Sequence, residues 1–510
     1  MLPLPQPEEE KQLNKLATIQ HLKKTGFTTC LFLWLIVCPA QQKDWLMEER
    51  LYKAYTLALT LKIEEAHGQL TEIKTPGQVY VASLTDALEL LVTEDEVKFE
   101  KYEDAYEARL DLLEEISPST SETLFAIAEL RLHWAFTYLK FGHEFDAAWN
   151  IRQAYLTVQE CKKKYPAFLP IKKSSGLLEI MLGSVPEKYQ WVMNLLNMEG
   201  SVETGLKELE QVRNQSASLN FETTLLYYLF QGFVLQHTAA AMQGFDETIH
   251  ANPDNHLALF LGASIAIKNS QSEKALGYLK KVNENTNGLI IPYAHYQLGE
   301  VYLHKGEYES SINSYQKFLA QYRGQNYVKD AHYKIGICHW LMNNATEAGK
   351  YFEKAKEEGK ESSEADKYAA RSLAENSYPN VKLLKIRYAT DGGYYEEAKK
   401  IVSTVTGNEL NTLKEKTEFI YRKARLFHKS GSAAEAKEYY AEAIISQTEE
   451  NWYFAPNACL QLGYISIEQN QTKEAKMYFE KALSYKKHEY KNSIDSKAKS
   501  ALAQLKKSKG

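Results

Sequence analysis

Few residues in this sequence are spaced for chemistry, and those that are lack the partners that catalysis requires. Adjacent carboxylates such as Glu396-Glu397 and Glu449-Glu450 face solvent by pattern, whereas an acid–base pair needs two carboxyl groups in different environments. No glycine-rich phosphate loop, paired-histidine zinc motif or nucleophile elbow is present. We therefore predict no catalytic residue, no metal ligand and no cofactor. The lone histidines on predicted helices, which we assign to packing or the surface, include His133, His339 and His428.

The cysteines do not form a framework for disulfides or metal. Their spacing contains no C-x-x-C pair, and they are far apart. Cys338 and Cys459 fall on apolar faces of predicted helices, where small buried thiols are common. The five positions are Cys30, Cys38, Cys161, Cys338 and Cys459.

The N-terminus has the order of a secretory signal. Lys23-Lys24 precede an apolar run over 27–37, and Cys38-Pro39-Ala40 supplies small residues for cleavage. The apolar run is about half the ~20 residues that a membrane span needs. We predict a signal peptide over 1–40 and export to the periplasm or medium. Two alternatives stay open: an uncleaved apolar helix in a cytoplasmic protein, and membrane attachment through a lipidated Cys38.

The overall charge is nearly balanced. Acidic residues number 66 against 61 basic ones, which gives a formal net charge of −5. A nucleic-acid-binding domain usually carries a clear basic excess. The composition therefore predicts no nucleic-acid partner.

Any site in this chain would be positioned by helices, which the sequence predicts in a repeating two-helix unit. A small residue on one helix is followed twelve residues later by another, then by a large residue four further on and a packing residue three after that. Antiparallel helices approach closely only where small residues meet, and the large residue fills the groove between hairpins. The clearest sets are Gly299-Ser311-Tyr315-Phe318, Gly336-Ala348-Phe352-Ala355, Ala424-Ala436-Tyr440-Ala443 and Gly463-Ala475-Phe479-Ala482.

These sets resemble the tetratricopeptide motif, above all in segments 296–319 and 460–483. The resemblance implies an all-α fold, an α-solenoid of tetratricopeptide-type helix-turn-helix repeats. Residues 361–378 predict an extra helix that ends before Pro379. We predict N-terminal repeats over 41–170, linking helices with Gly and Pro over 171–210, a central array over 211–378 and a C-terminal array over 379–505.

The linking segment also resembles one subfamily, the tetratricopeptide repeat protein 39 and inclusion-body-clearance group. The matching positions are Gly183-Ser184-Val185-Pro186, Gly200 and Gly205-Leu206, and the tail over 454–502 is similar as well. Because that group has no well-defined molecular activity, the resemblance implies architecture more than function.

A set of aromatic and basic residues on the first helices predicts a binding surface. By register they face the inner wall of the solenoid, and such residue types are frequent anchors at interfaces. The alternative is that they pack as ordinary core. The set is Tyr293, Tyr296, Tyr333, Trp340, Tyr421, Arg425, His428 and Tyr464.

We therefore predict a non-enzymatic scaffold that holds a partner polypeptide in a concave groove. One alternative is an exported glycan-binding protein with Trp340 in an aromatic platform. Another is an enzyme with an unfamiliar site.

Overall fold

The computed structural model describes residues 44–116, 120–185, 198–284, 287–375, 378–447 and 451–507. The chain divides into two compact units, Met1–Glu48 and Glu49–Gly510. The described part of the first unit contains a short 3-10 helix, Trp45–Met47, and the Asp44 side chain accepts a hydrogen bond from the Leu46 N–H at 3.2 Å. The predicted signal segment 1–40, with Cys38, lies outside the described residues.

The second unit is all-helical: its described ranges contain twenty-four α-helices and no β-strand. The first eight are α1 (Glu49–Leu59), α2 (Ile63–Gln69), α3 (Pro76–Thr93), α4 (Glu96–Ile116), α5 (Ser121–Phe141), α6 (Glu144–Lys164), α7 (Ile171–Gly183) and α8 (Val202–Gln215). The next eight are α9 (Asn220–Phe233), α10 (Thr238–Ala251), α11 (His256–Lys268), α12 (Ser272–Asn283), α13 (Pro292–Lys305), α14 (Tyr308–Gln321), α15 (Val328–Leu341) and α16 (Ala345–Glu357). The last eight are α17 (Glu364–Ala374), α18 (Val381–Gly392), α19 (Tyr395–Ser403), α20 (Leu413–Lys429), α21 (Ala433–Ser446), α22 (Phe454–Glu468), α23 (Thr472–Ser484) and α24 (Lys491–Lys507).

This architecture confirms the predicted all-α solenoid, and α17 is the predicted extra helix. Consecutive helices pack as hairpins, most extensively α5–α6, α7–α8, α13–α14, α15–α16, α20–α21 and α22–α23. In the described ranges no helix combines the length and apolar character that crossing a bilayer would need.

The hairpin turns use residues in the left-handed backbone region. Gly306, between α13 and α14, has φ +84°, and Gly431, between α20 and α21, has φ +88°. A residue without a Cβ adopts this conformation at little cost. Asn343, between α15 and α16, and Asn470, between α22 and α23, adopt the same conformation. Asparagine does so more readily than most other side chains.

Each clear glycine-led repeat is held by a close contact between its two helices. A Cβ added at Gly299 would lie 2.6 Å from the Tyr315 ring, and one at Gly463 would lie 2.4 Å from the Phe479 ring. Gly336 faces an aromatic ring in the same way, at 2.6 Å. Since carbon atoms do not pack this closely, the ring takes the space that a side chain would fill. The predicted equivalence of these glycines is confirmed.

The glycine-rich segment predicted as a linking element contains a hairpin of its own, α7–α8. A Cβ added at Gly205 would lie 2.5 Å from the Gly176 carbonyl oxygen, and one at Gly183 would lie 2.8 Å from the Val202 nitrogen. The two backbones therefore touch, which glycine alone permits. Pro186 lies outside the described residues. The predicted domain boundaries stay predictions.

The first helices of this unit return to contact its middle. The Leu289 N–H donates to the Leu61 carbonyl at 2.8 Å. The Asn255 side-chain amide donates to the Leu59 carbonyl at 3.1 Å, across 196 positions of sequence. The end of α1 and its connection to α2 are thus hydrogen-bonded to the turns that precede α11 and α13.

Gly463→Ala should destabilise the chain, because the new methyl group would lie 2.4 Å from the Phe479 ring. Overpacking of this kind costs about 1–3 kcal/mol. Gly277→Ala is the matched control on α12, since nothing lies within 4 Å of its added Cβ. It should stabilise by about 0.5–1 kcal/mol, because alanine is the better helix former. Urea unfolding followed by circular dichroism measures both changes, and shifts of the same sign would contradict the contact.

Candidate functional site

A pocket of about 270 Å³ lies among the C-terminal helices, between α15–α18 and α20–α22. We call it the tyrosine–arginine pocket. Its aromatic lining is Tyr333, Phe352, Tyr368, Tyr378, Tyr453, Phe454 and Tyr490. Its cationic lining is Lys356, Arg371, Arg387, Lys414 and Arg422, and its acidic lining is Glu353, Glu375, Glu418 and Glu489.

The extra helix α17 forms one wall of this pocket. Its N-cap is Ser363, whose side chain accepts a hydrogen bond from the Asp366 N–H at 3.0 Å. From α17, the Tyr368 hydroxyl accepts a hydrogen bond at 2.8 Å from Arg387 of α18, whose guanidinium also lies 5.1 Å from the Tyr368 ring centre. A cation–ring contact of this kind adds to the hydrogen bond in fixing the position of the guanidinium.

A second wall is the charged face of α20. The helix begins with a capping box in which the side chain of Thr412 caps the N–H of Glu415. Charged side chains then recur at spacings of four, three and four residues, which places them on one face. Arg422 lies 2.7 Å from Glu418 and donates to the Tyr453 hydroxyl at 3.0 Å. The members of this face are Glu418, Arg422, Arg425 and Lys429.

Asp391, the acidic residue of α18, lies close to Arg387, Arg422 and Arg425. It lies 3.1 Å from Arg425 and 3.8 Å from Arg387. Burial would raise the pKa of Asp391, but Arg425, followed by Arg387 and Arg422, lowers it below its ordinary value. The carboxylate is therefore ionised at neutral pH, and positive charge still exceeds negative charge around it.

The structure brings four of the eight sequence-predicted residues to this region. Tyr333 lines the pocket. Trp340 stacks on Tyr378 with 4.5 Å between ring centres, and its indole N–H donates to the Pro379 carbonyl at 2.9 Å. Tyr421 and Arg425 reach the region through neighbouring residues. Tyr421 packs against Tyr453, which lines the pocket, and Arg425 pairs with Asp391.

The remaining four lie elsewhere. Tyr293 and Tyr296 stack on each other at 5.0 Å, while His428 and Tyr464 contact rings of α21 and α23. The core holds three of the eight, with exposures of 3% for Tyr296, 4% for Tyr333 and 1% for Tyr421. The other five are half-buried. Partner contact by any of the eight stays a prediction.

Sequence reasoning did not identify several residues that shape the pocket. The charge spacing along α20 could have indicated Arg422. The others lie on α17, on α18 and in the turn before α24, and no local pattern relates these segments. They are Tyr368, Arg371, Arg387 and Tyr490.

A separate buried cluster has the residue types of a metal site, but an ammonium group fills it. Ligand atoms of Glu129, His133 and Glu222 lie within 4.8 Å of one another. The Lys173 ammonium lies 2.7 Å from Glu129 and also pairs with Glu222. Burial, followed by the Lys173 charge, lowers the pKa of His133 to about 3, so this ring is neutral at pH 7. Lys173 is thus the cation that the two carboxyl groups require.

Lys173→Met should destabilise the chain by about 3–5 kcal/mol, because two buried carboxyl groups lose their counter-charge. Burial without a partner raises their pKa above the unfolded value, so the loss is largest at neutral pH and shrinks as the pH falls. Thermal unfolding at about pH 5 and about pH 7.5 measures this dependence. The control combines Lys173→Met with Glu129→Gln and Glu222→Gln, which should recover stability and remove the pH dependence. A pH-independent loss in the single variant would contradict the assignment.

Two family models, both described as tetratricopeptide repeat, match the chain. One matches residues 296–363, and the other matches 417–444 and 456–489. These ranges include the small residues Gly299, Gly336, Ala424 and Gly463. No curated protein sequence matches the chain.

The chain is also similar to several solved structures. A tetratricopeptide repeat protein from Parabacteroides merdae is 17% identical over 55% of this chain and 98% of that chain, with a TM-score of 0.24. A human IFIT1 dimer with m7Gppp-AAAA is 14% identical over 78% and 90%, with a TM-score of 0.38. Yeast Tom70 is 14% identical over 89% and 95%, with a TM-score of 0.30. With the matched family models and the helical hairpins taken together, the chain is an α-solenoid that carries tetratricopeptide repeats.

Proposed function

We propose that the chain is a non-enzymatic scaffold that binds a partner polypeptide at the tyrosine–arginine pocket. Tetratricopeptide repeats generally serve protein interaction, because stacked hairpins leave an extended surface free. The observation that carries the proposal is the lining of the pocket, which combines tyrosines with arginines. These residue types dominate the binding energy of protein interfaces.

The size of the pocket favours an anchor side chain over a free small molecule. Its volume of about 270 Å³ lies at the lower edge of the range of about 300–1,000 Å³ that small-molecule sites occupy. One or two side chains of a larger partner would fill it. The rest of the partner would then lie across the neighbouring helices.

Two groups at the rim are only partly used within the chain. Arg371 is exposed and lies over the Tyr490 ring at 5.5 Å, and it forms no direct ion pair within the described residues. Tyr378 is 48% exposed, while its other face rests on Trp340. Rings already fixed by stacking lose little conformational freedom when they bind. This region is therefore prepared to hold an apolar or aromatic anchor.

Arg371→Ala should weaken the binding of peptides selected from a displayed random library against the wild-type chain. The expected loss is about tenfold, since an interface arginine is often worth ~1–2 kcal/mol. Arg213→Ala is the matched control, because Arg213 also lies over a tyrosine ring, at 4.5 Å from that of Tyr227, but outside the pocket. Fluorescence anisotropy measures both affinities. Equal affinities for wild type and Arg371→Ala would defeat the proposal.

The glycan-binding alternative also has a supporting observation. Tyr378 and Trp340 stack with an interplanar angle of 22°, so Tyr378 presents an exposed ring on a fixed base. Sugar rings pack on such faces. Glycan binding that is lost on Tyr378→Ala, without any selected peptide, would favour this alternative over the scaffold.

We also propose that the segment 1–40 directs export and that the chain is related to the tetratricopeptide repeat protein 39 group. The basic residues, apolar run and small residues of the segment support export. N-terminal sequencing of the chain expressed in a secreting host should yield a start at Gln41. A mature chain that begins before Gln41 would defeat the export proposal.

A further inference from the structure

A second cavity, of about 650 Å³, lies where the first helices of the second unit meet its middle. One wall comes from the start of α2, the end of α3 and the start of α4, and we call it the amino-terminal wall. The other, the middle wall, comes from the turn before α13 and from the end of α14 with the turn after it. The hydrogen bond from the Leu289 N–H to the Leu61 carbonyl joins the two walls. Since small-molecule sites occupy about 300–1,000 Å³, the cavity has room for a small molecule that contacts both walls.

Aliphatic side chains from both walls line part of this cavity. Ile63 of α2 and Pro292 of α13 are buried. Ile290, in contrast, is 60% exposed, although it follows directly on the residue whose N–H joins the walls. An exposed aliphatic side chain gains free energy when an apolar group of a ligand covers it. This part of the lining therefore favours a ligand with an aliphatic body.

Most charged groups of the amino-terminal wall already have partners within the chain. Glu89 pairs with Lys98, and Glu65 lies 3.7 Å from Lys62. Asp95 accepts hydrogen bonds from two N–H groups in the first turn of α4, at 3.0 and 3.1 Å. These groups need no ligand to complete their interactions.

One charged group on each wall has no such partner. Glu64 of α2 and Arg323, which follows α14, both line the cavity and are exposed. Neither forms an ion pair or a side-chain hydrogen bond within the part of the chain that the structure describes. A ligand with one positive and one negative group would supply a partner to each.

The charge of each wall as a whole points in the same direction. The described lining of the amino-terminal wall has four carboxylates and two ammonium groups, whereas the charged residue in that of the middle wall is Arg323. Burial would lower the pKa of Lys98, but Glu89, followed by Asp95 and Glu64, raises it above its ordinary value. Negative charge thus exceeds positive charge at the amino-terminal wall, and the middle wall is positive. A simple amine or a simple anion would suit only one of them.

We infer that this cavity binds a small zwitterion, with its ammonium group at Glu64 and its carboxylate at Arg323. An ammonium group donates up to three hydrogen bonds, and a guanidinium donates to a carboxylate in a planar fork. The aliphatic body of the ligand would cover Ile290. A free amino acid with an aliphatic side chain, or a dipeptide of such residues, carries this chemistry. The site is separate from the tyrosine–arginine pocket and does not depend on the proposed function.

Isothermal titration of the full chain with L-leucine tests the inference, and two modified ligands serve as controls. N-acetyl-L-leucine lacks the ammonium group, and L-leucinamide lacks the carboxylate. Wild type should bind each modified ligand about tenfold more weakly than L-leucine, because one charge-assisted contact is lost. Titration with leucyl-leucine distinguishes the two sources. Tighter binding of either zwitterion supports the site and identifies the ligand as a free amino acid or a dipeptide.

Single variants assign each end of the ligand to its wall. Glu64→Gln should remove the preference for L-leucine over N-acetyl-L-leucine, and Arg323→Gln should remove the preference for L-leucine over L-leucinamide. Glu309→Gln is the matched control for the acid, since Glu309 is an exposed carboxylate in the first turn of α14, as Glu64 is in that of α2. Arg50→Gln removes an exposed arginine of α1 that does not line the cavity. Neither control should change an affinity.

Hydrogen exchange on wild type gives a readout that needs no variant. Saturating L-leucine should slow the exchange of the Leu289 amide and raise the thermal midpoint, because a ligand that contacts both walls stabilises the folded chain. Exchange of Leu289 that does not change would place the ligand elsewhere and overturn the inference. A wild-type chain that binds neither zwitterion would also overturn it, as would variants that keep both preferences.

Discussion

A glycine against an aromatic ring sets the distance between the helices of the glycine-led repeats. The ring of Tyr315 occupies the place where a side chain of residue 299 would stand, and Gly463 and Phe479 repeat the arrangement. Because the ring belongs to the second helix and faces the first, each hairpin closes on itself and offers its remaining apolar surface to the next. The stack continues for as long as small and large residues keep this spacing.

The same close packing draws polar atoms into the interior, where they must find partners. The Tyr315 hydroxyl reaches Glu300, which also pairs with Lys334 of the following hairpin, and Lys334 lies 3.1 Å from Asp330. In the amino-terminal half of the chain, Lys173 pairs with the carboxyl groups of Glu129 and Glu222 in the same way. An acid has this role at the end of α18, where Asp391 lies between Arg425 and Arg387.

The repeats could be predicted from the sequence because their cause is local. A small residue and a ring sixteen positions later define a hairpin without knowledge of the rest of the chain. The binding residues could be predicted less well, since register places Tyr296, Tyr333 and Tyr421 on a face but does not say whether other helices cover it. The structure buries these three. Arg387, Tyr368 and Tyr490 meet only because α17 is inserted and the segment before α24 folds back, and neither event leaves a pattern in the sequence.

The hydrogen bonds from Leu289 and Asn255 to the connection between α1 and α2 change how such an array behaves as a whole. An open row of repeats can fray from either end, one hairpin at a time, because each hairpin touches only its neighbours. Here the amino-terminal end is tied to the middle across about two hundred residues, a contact of high sequence separation that forms late and costs loop entropy. Once made, it leaves the helical array without a free end at α1. The helices from α1 to α13 should therefore open together or not at all, so that a ligand bound to one of them would sense damage far from where it sits.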